Sequence, residues 1–259
     1  MLKLGVVGRK IGYSQSPFIH SAFGHMFSLA VDYTIQDVGE ATFKEKIQLL
    51  RDDGFAGCNI TVPFKEDALA MADQASVWAR EAGAANTFSF KPDGSILADN
   101  TDGRGLVRDI TENLNYSLKD KRILICGAGG AVRGILAPLQ AQGPQELVIA
   151  NRSTKPDLNT TDYAALAGKT FDLVIDGTSL KTEALPLPDS LRLGKEALVY
   201  DLKYGAPSFI LDWGRKQGVQ VSDGLGMLVE QAAFAFEVWT GQLPETRSVL
   251  LKLRERLCA

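Results

Sequence analysis

The chain has 259 residues, 45% of them hydrophobic and 23% charged, which suffices for one large core or two moderate ones. Its 28 Lys and Arg against 31 Asp and Glu leave a net charge of -3. A strongly basic nucleic-acid binder is excluded, because neutralising phosphates needs surplus cations. Three cysteines, Cys58, Cys126 and Cys258, read as reduced thiols of a cytoplasmic protein rather than a disulfide framework. The opening apolar run at 2–7 is too short for a membrane span or a signal sequence, so no membrane association is expected. Glycine is in surplus, with 25 residues where about 7% is usual, so the glycine positions mark where backbone has a special task.

In chain order, apolar runs fall at 4–7, 32–35, 57–61, 123–126, 147–150, 171–175, 198–202 and 219–221, mostly separated by helix-period segments. This alternation predicts an α/β protein with largely parallel sheets. Ser16 before Pro17 predicts a helix start, with Ser16 as N-cap and Pro17 in the first helical position. Thr42 and Glu45 have the spacing of a capping box, opening a helix that Gly54 closes. The runs 88–90 and 96–98, joined by Lys91-Pro92-Asp93-Gly94, predict a hairpin. By composition the polar segment 113–121 is the best domain junction, and helical stretches at 225–239 and 248–257 close the chain.

The strand 122–126 runs into Gly127-Ala128-Gly129-Gly130-Ala131 and then a helix, the context in which a dinucleotide-binding turn has meaning. Gly127 permits the tight turn, Gly129 lets backbone N–H groups approach a pyrophosphate, and the helix N-terminus favours the anion. The third small position falls on Val132, which is expected to loosen helix–strand packing, and Pro138 is expected to kink the helix. The next strand ends in Asn151-Arg152-Ser153 with no acid to bind a ribose 2′-OH. Arg152, with Lys155 nearby, instead suits a 2′-phosphate, so NADP is expected over NAD.

In the amino-terminal half, Ser14 and Ser16 stand ahead of a helix whose free N–H groups would favour a carboxylate, although an ordinary serine cap reads the same way. Further on, a strand carries Asn59 and Thr61 on one face, and Pro63 is expected to start a helix. Lys65 then lies in the first helical turn, where the helix dipole disfavours a cation. Such a lysine is either solvated or held by a carboxylate. Asp102, at the expected start of another helix, is the candidate. A Lys–Asp pair can donate and accept a proton at a carbonyl or hydroxyl. His20 and His25, five residues apart, do not share a helix face, so no metal site is expected, and Cys58 reads as core packing. Phe234, Phe236 and Trp239 read as packing for the last helices.

The ordered set Ser14-Gln-Ser-Pro17, Asn59-Ile-Thr-Val-Pro-Phe-Lys65, Gly83-Ala-Ala-Asn-Thr87, Asp99-Asn-Thr-Asp-Gly103, Gly127-Ala-Gly-Gly-Ala131, Asn151-Arg-Ser153 and Asp223-Gly-Leu-Gly-Met227 with Gln231 resembles the shikimate dehydrogenase family along nearly the whole chain. The resemblance implies reversible, NADPH-dependent reduction of 3-dehydroshikimate to shikimate in aromatic amino-acid biosynthesis. It implies a substrate domain at 1–102, a Rossmann-type NADP(H)-binding domain at 103–224, and C-terminal helices at 225–259 packing back on the first. It assigns Lys65 and Asp102 as the catalytic pair, Ser14 and Ser16 to the substrate carboxylate, and Thr61, Asn86, Asp102, Tyr204 and Gln231 to the rest of the substrate. Gly127, Ala128, Gly129, Gly130 and Ala131 would hold the pyrophosphate. Asn151, Arg152 and Ser153, with Lys155, would surround the 2′-phosphate, and Thr178, Leu202, Gly224 and Met227 would lie near the nicotinamide. The chain would act as a monomer or homodimer. The rival readings are a quinate/shikimate dehydrogenase using NAD, and a non-catalytic sensor of shikimate-like metabolites.

Two features depart from the family pattern. Only residues 154–162 follow Asn151-Arg-Ser153 where the family has a helix and another strand, so the outermost strand and its helix are expected to be lost or reduced. The family's Asn-Ala-Thr-Ser also reads Asp176-Gly177-Thr178-Ser179 here; Asp176 is expected to serve as a turn residue, with some cost in cofactor affinity from its charge.

Overall fold

A computed structural model describes residues 1–180 and 184–258. The elements, in chain order, are β1 (Leu2–Gly8), α1 (Ser16–Met26), β2 (Val31–Asp37), α2 (Phe43–Asp52), β3 (Gly57–Ile60), α3 (Lys65–Met71), β4 (Gln74–Ala75), α4 (Val77–Ala82), β5 (Thr87–Phe90), β6 (Ile96–Asp99), α5 (Asp102–Arg108), β7 (Arg122–Cys126), α6 (Gly130–Gln140), β8 (Glu146–Ala150), β9 (Thr170–Asp176), β10 (Arg192–Asp201), α7 (Phe209–Lys216), β11 (Gln220–Asp223), α8 (Leu225–Thr240) and α9 (Arg247–Cys258). They form two units: Met1–Gly105 with Leu228–Ala259, and Leu106–Met227. The polar segment 113–121 therefore lies inside the second unit, not at a junction, and leads into β7.

The first unit carries a six-stranded sheet in the order β2-β1-β3-β5-β6-β4. It is mixed rather than largely parallel: β1 pairs in parallel with β2 and β3, whereas β5 runs antiparallel to both β3 and β6. The cause is the hairpin at 87–99, whose turn places Gly94 at φ +84° and inserts its strands beside β3. Alternation along β1 sends Val7 into a core with Ile47, Phe64 and Phe88, and Leu4 and Val6 into another with Ile11 and Tyr33.

Three local expectations are corrected. Helix α1 begins at Ser16, because the Gln15 backbone is already helical; Ser14, not Ser16, receives a free N–H, accepting from the Ser16 amide at 3.3 Å. No capping box forms at Thr42, since a short 3₁₀ turn precedes α2 and the Thr42 hydroxyl donates back to the Gly39 carbonyl. Pro63 follows a cis peptide bond in the turn closed by the Phe64 N–H on the Thr61 carbonyl, so α3 opens at Lys65.

The second unit is a five-stranded, wholly parallel sheet in the order β11-β10-β9-β7-β8. This is a doubly wound arrangement whose order reverses at β7, where ligands bind off the carboxyl ends of the strands. Beyond β8 the next strand has shrunk to one bridge, Thr161 beside Ala150, and only two single 3₁₀ turns, 156–158 and 164–166, occupy the place of a helix. The shortened segment after Arg152 thus has the predicted consequence. Helix α6 accommodates Pro138 in its last turn and continues to Gln140.

Val132 does not loosen the packing of α6. It is fully buried, and a Cβ added at Gly177 would lie 2.5 Å from its Cγ2. The larger residue on the helix fills the space opened by glycine where the family carries alanine. Gly177→Ala is therefore expected to overpack this contact by about 1–3 kcal/mol. Adding Val132→Ala should return the thermal unfolding midpoint toward that of the parent chain, and strictly additive midpoints would refute the exchange.

Candidate active site

The carboxyl end of β3, the start of β5 and the carboxyl end of β6 fall on one sheet edge, because β5 runs opposite to its two neighbours. Residues 61–65, Asn86 and 100–102 are therefore delivered to one place. Lys65, in the first turn of α3, sits where the helix dipole opposes a cation, and it is held by Asp102: Nζ lies 2.5 Å from Oδ2. Asp102 opens α5, where the dipole favours its negative charge, and its N–H donates to Asn100 Oδ1 at 3.1 Å. Both side chains are largely enclosed, with relative exposures of 18% and 9%.

Asn86 completes the carboxylate's surroundings by donating from Nδ2 to Asp102 Oδ1 at 2.8 Å. The same amide reaches Gln231 Oε1 at 3.4 Å. Gln231 can come this close because Gly105 leaves no side chain between α5 and α8; a Cβ there would lie 2.6 Å from the Gln231 backbone nitrogen. Ser14 and Ser16 are joined by a 3.2 Å hydroxyl bond at the start of α1, and Thr61 follows β3 with its N–H on the Val7 carbonyl. Lys65, Asp102, Asn86 and Gln231 thus form one hydrogen-bonded group. Tyr204 belongs to the second unit, in the loop after β10.

Several polar residues here were not read as functional from sequence. Asn59 and Thr87 are cross-strand partners in the β3–β5 ladder, and Asn59 also accepts from the Tyr33 phenol at 2.7 Å. Buried polar residues in apolar strands were the available signal. Beside them His20 is fully buried and stacked on Tyr33, with ring centroids 4.4 Å apart, and burial pushes its imidazole down to about 3. It is neutral near pH 7. Cys58 is a buried free thiol, raised by the same desolvation, in keeping with a packing role.

In the second unit, Gly127, Asn151, Thr178, Leu202 and Gly224 follow β7, β8, β9, β10 and β11 in turn, along the carboxyl edge of the sheet. A cavity of about 540 Å³ is lined by Gly127 to Ala131 and by Asn151, Arg152, Lys155, Tyr163 and Thr178. Gly127 has φ +102°, a conformation costly for any other residue, while Gly129 and Gly130 face open space. The Thr178 hydroxyl is buried and has no hydrogen-bond partner among the described residues. Arg152 and Lys155 are exposed, and the nearby Asp157 carboxyl is held below its usual range by Arg133, with a contribution from Lys155. An open glycine turn at a helix N-terminus, an unused hydroxyl and two exposed cations fit a phosphorylated dinucleotide.

Ser153, Leu202, Gly224 and Met227 lie outside the lining of that cavity. Leu202 and Gly224 nevertheless pack closely, since a Cβ at Gly224 would collide with the Leu202 carbonyl. Met227 is buried in the same core cluster as Tyr200, whose phenol donates to the buried Asp109 at 2.7 Å. Asp176 is indeed a turn residue, accepting from the Thr178 N–H at 2.8 Å. Its charge is answered, however, by Lys203, whose Nζ lies 3.0 Å from Asp176 and 3.2 Å from Asp201. One ammonium between two carboxylates leaves the group with a single net negative charge, so the pairing lowers the local charge without cancelling it.

Comparison with known proteins places this geometry in context. The family model "Shikimate dehydrogenase substrate binding domain" matches residues 6–88, and "Shikimate 5'-dehydrogenase C-terminal domain" matches residues 224–250. A curated relative from Hydrogenovibrio crunogenus, named shikimate dehydrogenase (NADP(+)), is 43% identical over 98% of both chains. One of the same name from Methylococcus capsulatus is 45% identical over 96% of this chain and 94% of its own. Among solved structures, an Ael1 enzyme from Pseudomonas putida is 40% identical, covers 98% of each chain and has a TM-score of 0.89. The shikimate 5-dehydrogenase of Thermus thermophilus, solved with NADP(H) and shikimate, is 29% identical with a TM-score of 0.86, covering 98% of this chain and 99% of its own.

If Lys203 pairs with Asp176, Lys203→Met should destabilise the chain by about 1–3 kcal/mol, since it strands a buried carboxylate. Asp176→Asn in the same chain should recover much of that loss. A double-mutant cycle on unfolding midpoints reads the coupling, and purely additive values would contradict the pairing.

Proposed function

The chain belongs to the shikimate dehydrogenase family, and from that premise we propose that it interconverts 3-dehydroshikimate and shikimate with NADP(H), a step of aromatic amino-acid biosynthesis. The observation that carries this reading is the enclosed Lys65–Asp102 ion pair, hydrogen-bonded to Asn86, at the mouth of the first unit's sheet. A polyhydroxy acid needs a carboxylate clamp and several hydroxyl partners. Ser14 and Ser16 supply the first; Thr61, Asn86, Asp102, Gln231 and Tyr204 supply the second.

Hydride transfer is the chemistry that bound NADP(H) supplies. The protein's part is to orient the substrate and to move one proton. In the reducing direction the Lys65 ammonium donates to the substrate oxygen as negative charge develops there, and Asp102 holds that ammonium in place. In the oxidising direction neutral Lys65 takes the hydroxyl proton. The Gly127–Ala131 turn holds the pyrophosphate, and Asn151, Arg152, Ser153 and Lys155 receive the 2′-phosphate. Thr178, Leu202, Gly224 and Met227 serve the nicotinamide end.

Arg152 with no acid at its strand end argues against NAD, and the intact pair argues against a non-catalytic sensor. Among the described residues no helix is long and apolar enough to cross a membrane. The enzyme's proposed setting is the cytoplasm, as a monomer or homodimer; Lys65 and Asp102 come from one chain, so the pair needs no second copy.

Nicotinamide absorbance with shikimate or quinate, and NADP+ or NAD+, tests the reading; the expected result is turnover with shikimate and NADP+. Binding without turnover would overturn it. Lys65→Ala should lower kcat by about 10²–10⁴ with little change in KM for NADP+, and an unchanged kcat would remove Lys65 from proton transfer. Arg152→Ala should raise KM for NADP+ by about 10- to 100-fold, the loss of charge-assisted hydrogen bonds, while leaving weak use of NAD+ unaltered. Equal losses with both cofactors would contradict the 2′-phosphate assignment.

A further inference from the structure

Behind the catalytic pair, the buried polar side chains of the first unit form a line in which each hydrogen bond is donated toward Asp102. The Tyr33 phenol donates to Asn59 Oδ1 at 2.7 Å, and Asn59 Nδ2 donates to Thr87 Oγ1 at 3.1 Å. The Thr87 hydroxyl donates to Asn86 Oδ1 at 2.9 Å, and Asn86 Nδ2 donates to Asp102 Oδ1 at 2.8 Å. Lys65 occupies the other carboxylate oxygen. At the far end the line begins at the Tyr33 phenol. Asn59, Thr87 and Asn86 are all buried.

The polarity of the line is fixed by backbone groups that cannot reverse. Asn59 Nδ2 also meets the Asn86 carbonyl at 3.2 Å, and Asn86 Oδ1 also accepts from the Thr101 N–H at 2.9 Å. Neither amide can flip without setting donor against donor or acceptor against acceptor. The Thr87 hydroxyl is the rotating link between two fixed amides, and it is compelled to point at Asn86. Tyr33 is held in turn by its near-parallel stack on neutral His20, with planes 4° apart.

We propose that Thr87 and Tyr33 are positioning residues of the reaction: they act through Asn59 and Asn86 to fix the Asp102 carboxylate that orients Lys65. Neither touches the reacting atoms. The inference rests on Lys65 and Asp102 being the catalytic pair. It adds that the Tyr33 phenol and the catalytic pair are two ends of one polar strut, so side chains set behind the pair govern the turnover rate.

The test compares Thr87→Val, Thr87→Ser and Tyr33→Phe by steady-state kinetics and by exchange of the Asn86 side-chain amide in ¹⁵N spectra. Thr87→Val, which keeps volume but lacks the hydroxyl, should lower kcat roughly 10- to 100-fold and leave KM for NADP+ unchanged. Thr87→Ser should restore kcat to near the parent value. Tyr33→Phe keeps the stack on His20 and should lower kcat by about 2- to 10-fold, the effect of one hydrogen bond. Asn86 amide exchange should quicken in Thr87→Val and not in Thr87→Ser. The proposal is overturned if folded Thr87→Val keeps the parent kcat, if Thr87→Ser falls as far as Thr87→Val, or if amide exchange is unchanged. Should Thr87→Val fail to fold, Tyr33→Phe decides. Should the parent chain not turn over shikimate, the functional reading falls, while amide exchange still decides whether the strut orients Asn86.

Discussion

A lysine at the start of a helix is electrostatically misplaced, and the first unit is organised around correcting that. The Lys65 ammonium faces the positive end of α3, so it depends on the Asp102 carboxylate 2.5 Å away. Asp102 faces the positive end of α5, where a negative charge is welcome, so one residue satisfies both termini. An enclosed ion pair pays desolvation that its own attraction does not always cover unless the remaining lone pairs are met. Asn86 meets one through its side-chain amide, and the buried polar residues behind Asn86 keep that amide facing the carboxylate. The sheet makes this possible: one antiparallel strand between β3 and β6 returns the chain so that residues 65, 86 and 102 share an edge.

The second unit meets the same problem of placing charge with a different device. Five parallel strands end along one edge, and the turns after them present backbone rather than side chains to an anion. Its departures from the family pattern come in compensating pairs. Valine in place of a small residue at 132 is matched by the missing methyl at 177, and the carboxylate at 176 is matched by the ammonium at 203. Loss of the outermost strand leaves Thr161 as a single bridge, and Asp157 in the shortened segment is tied to Arg133 of α6 at 2.5 Å.

Much of this was legible in the sequence where a signal was local. The glycine turn, the absent acid after Ala150 and the short stretch at 154–162 each depend on neighbouring residues. The hairpin at 87–99 was legible, but its docking antiparallel to β3, which makes the first sheet mixed, was not, because that pairing is decided by partners distant in sequence. Nor were the caps at Ser16 and Thr42, where an extra turn of helical or 3₁₀ backbone shifts each start by one residue or takes the hydroxyl elsewhere. Asp176 was correctly read as a turn residue, but its ion-pair partner lay 27 residues away at Lys203. Tyr33 gave no separate signal, since an aromatic residue in a strand is what packing alone would select, and Thr87 gave only the weak one of a polar residue in an apolar strand.

The most direct measurement is a crystal structure of the chain with shikimate and NADP+ bound. The account predicts one ring hydroxyl within about 3.2 Å of both Lys65 Nζ and the Asp102 carboxylate, with the substrate carboxylate on the Ser14 and Ser16 hydroxyls. Shikimate bound in the opposite sense, with its carboxylate on Lys65, would contradict it.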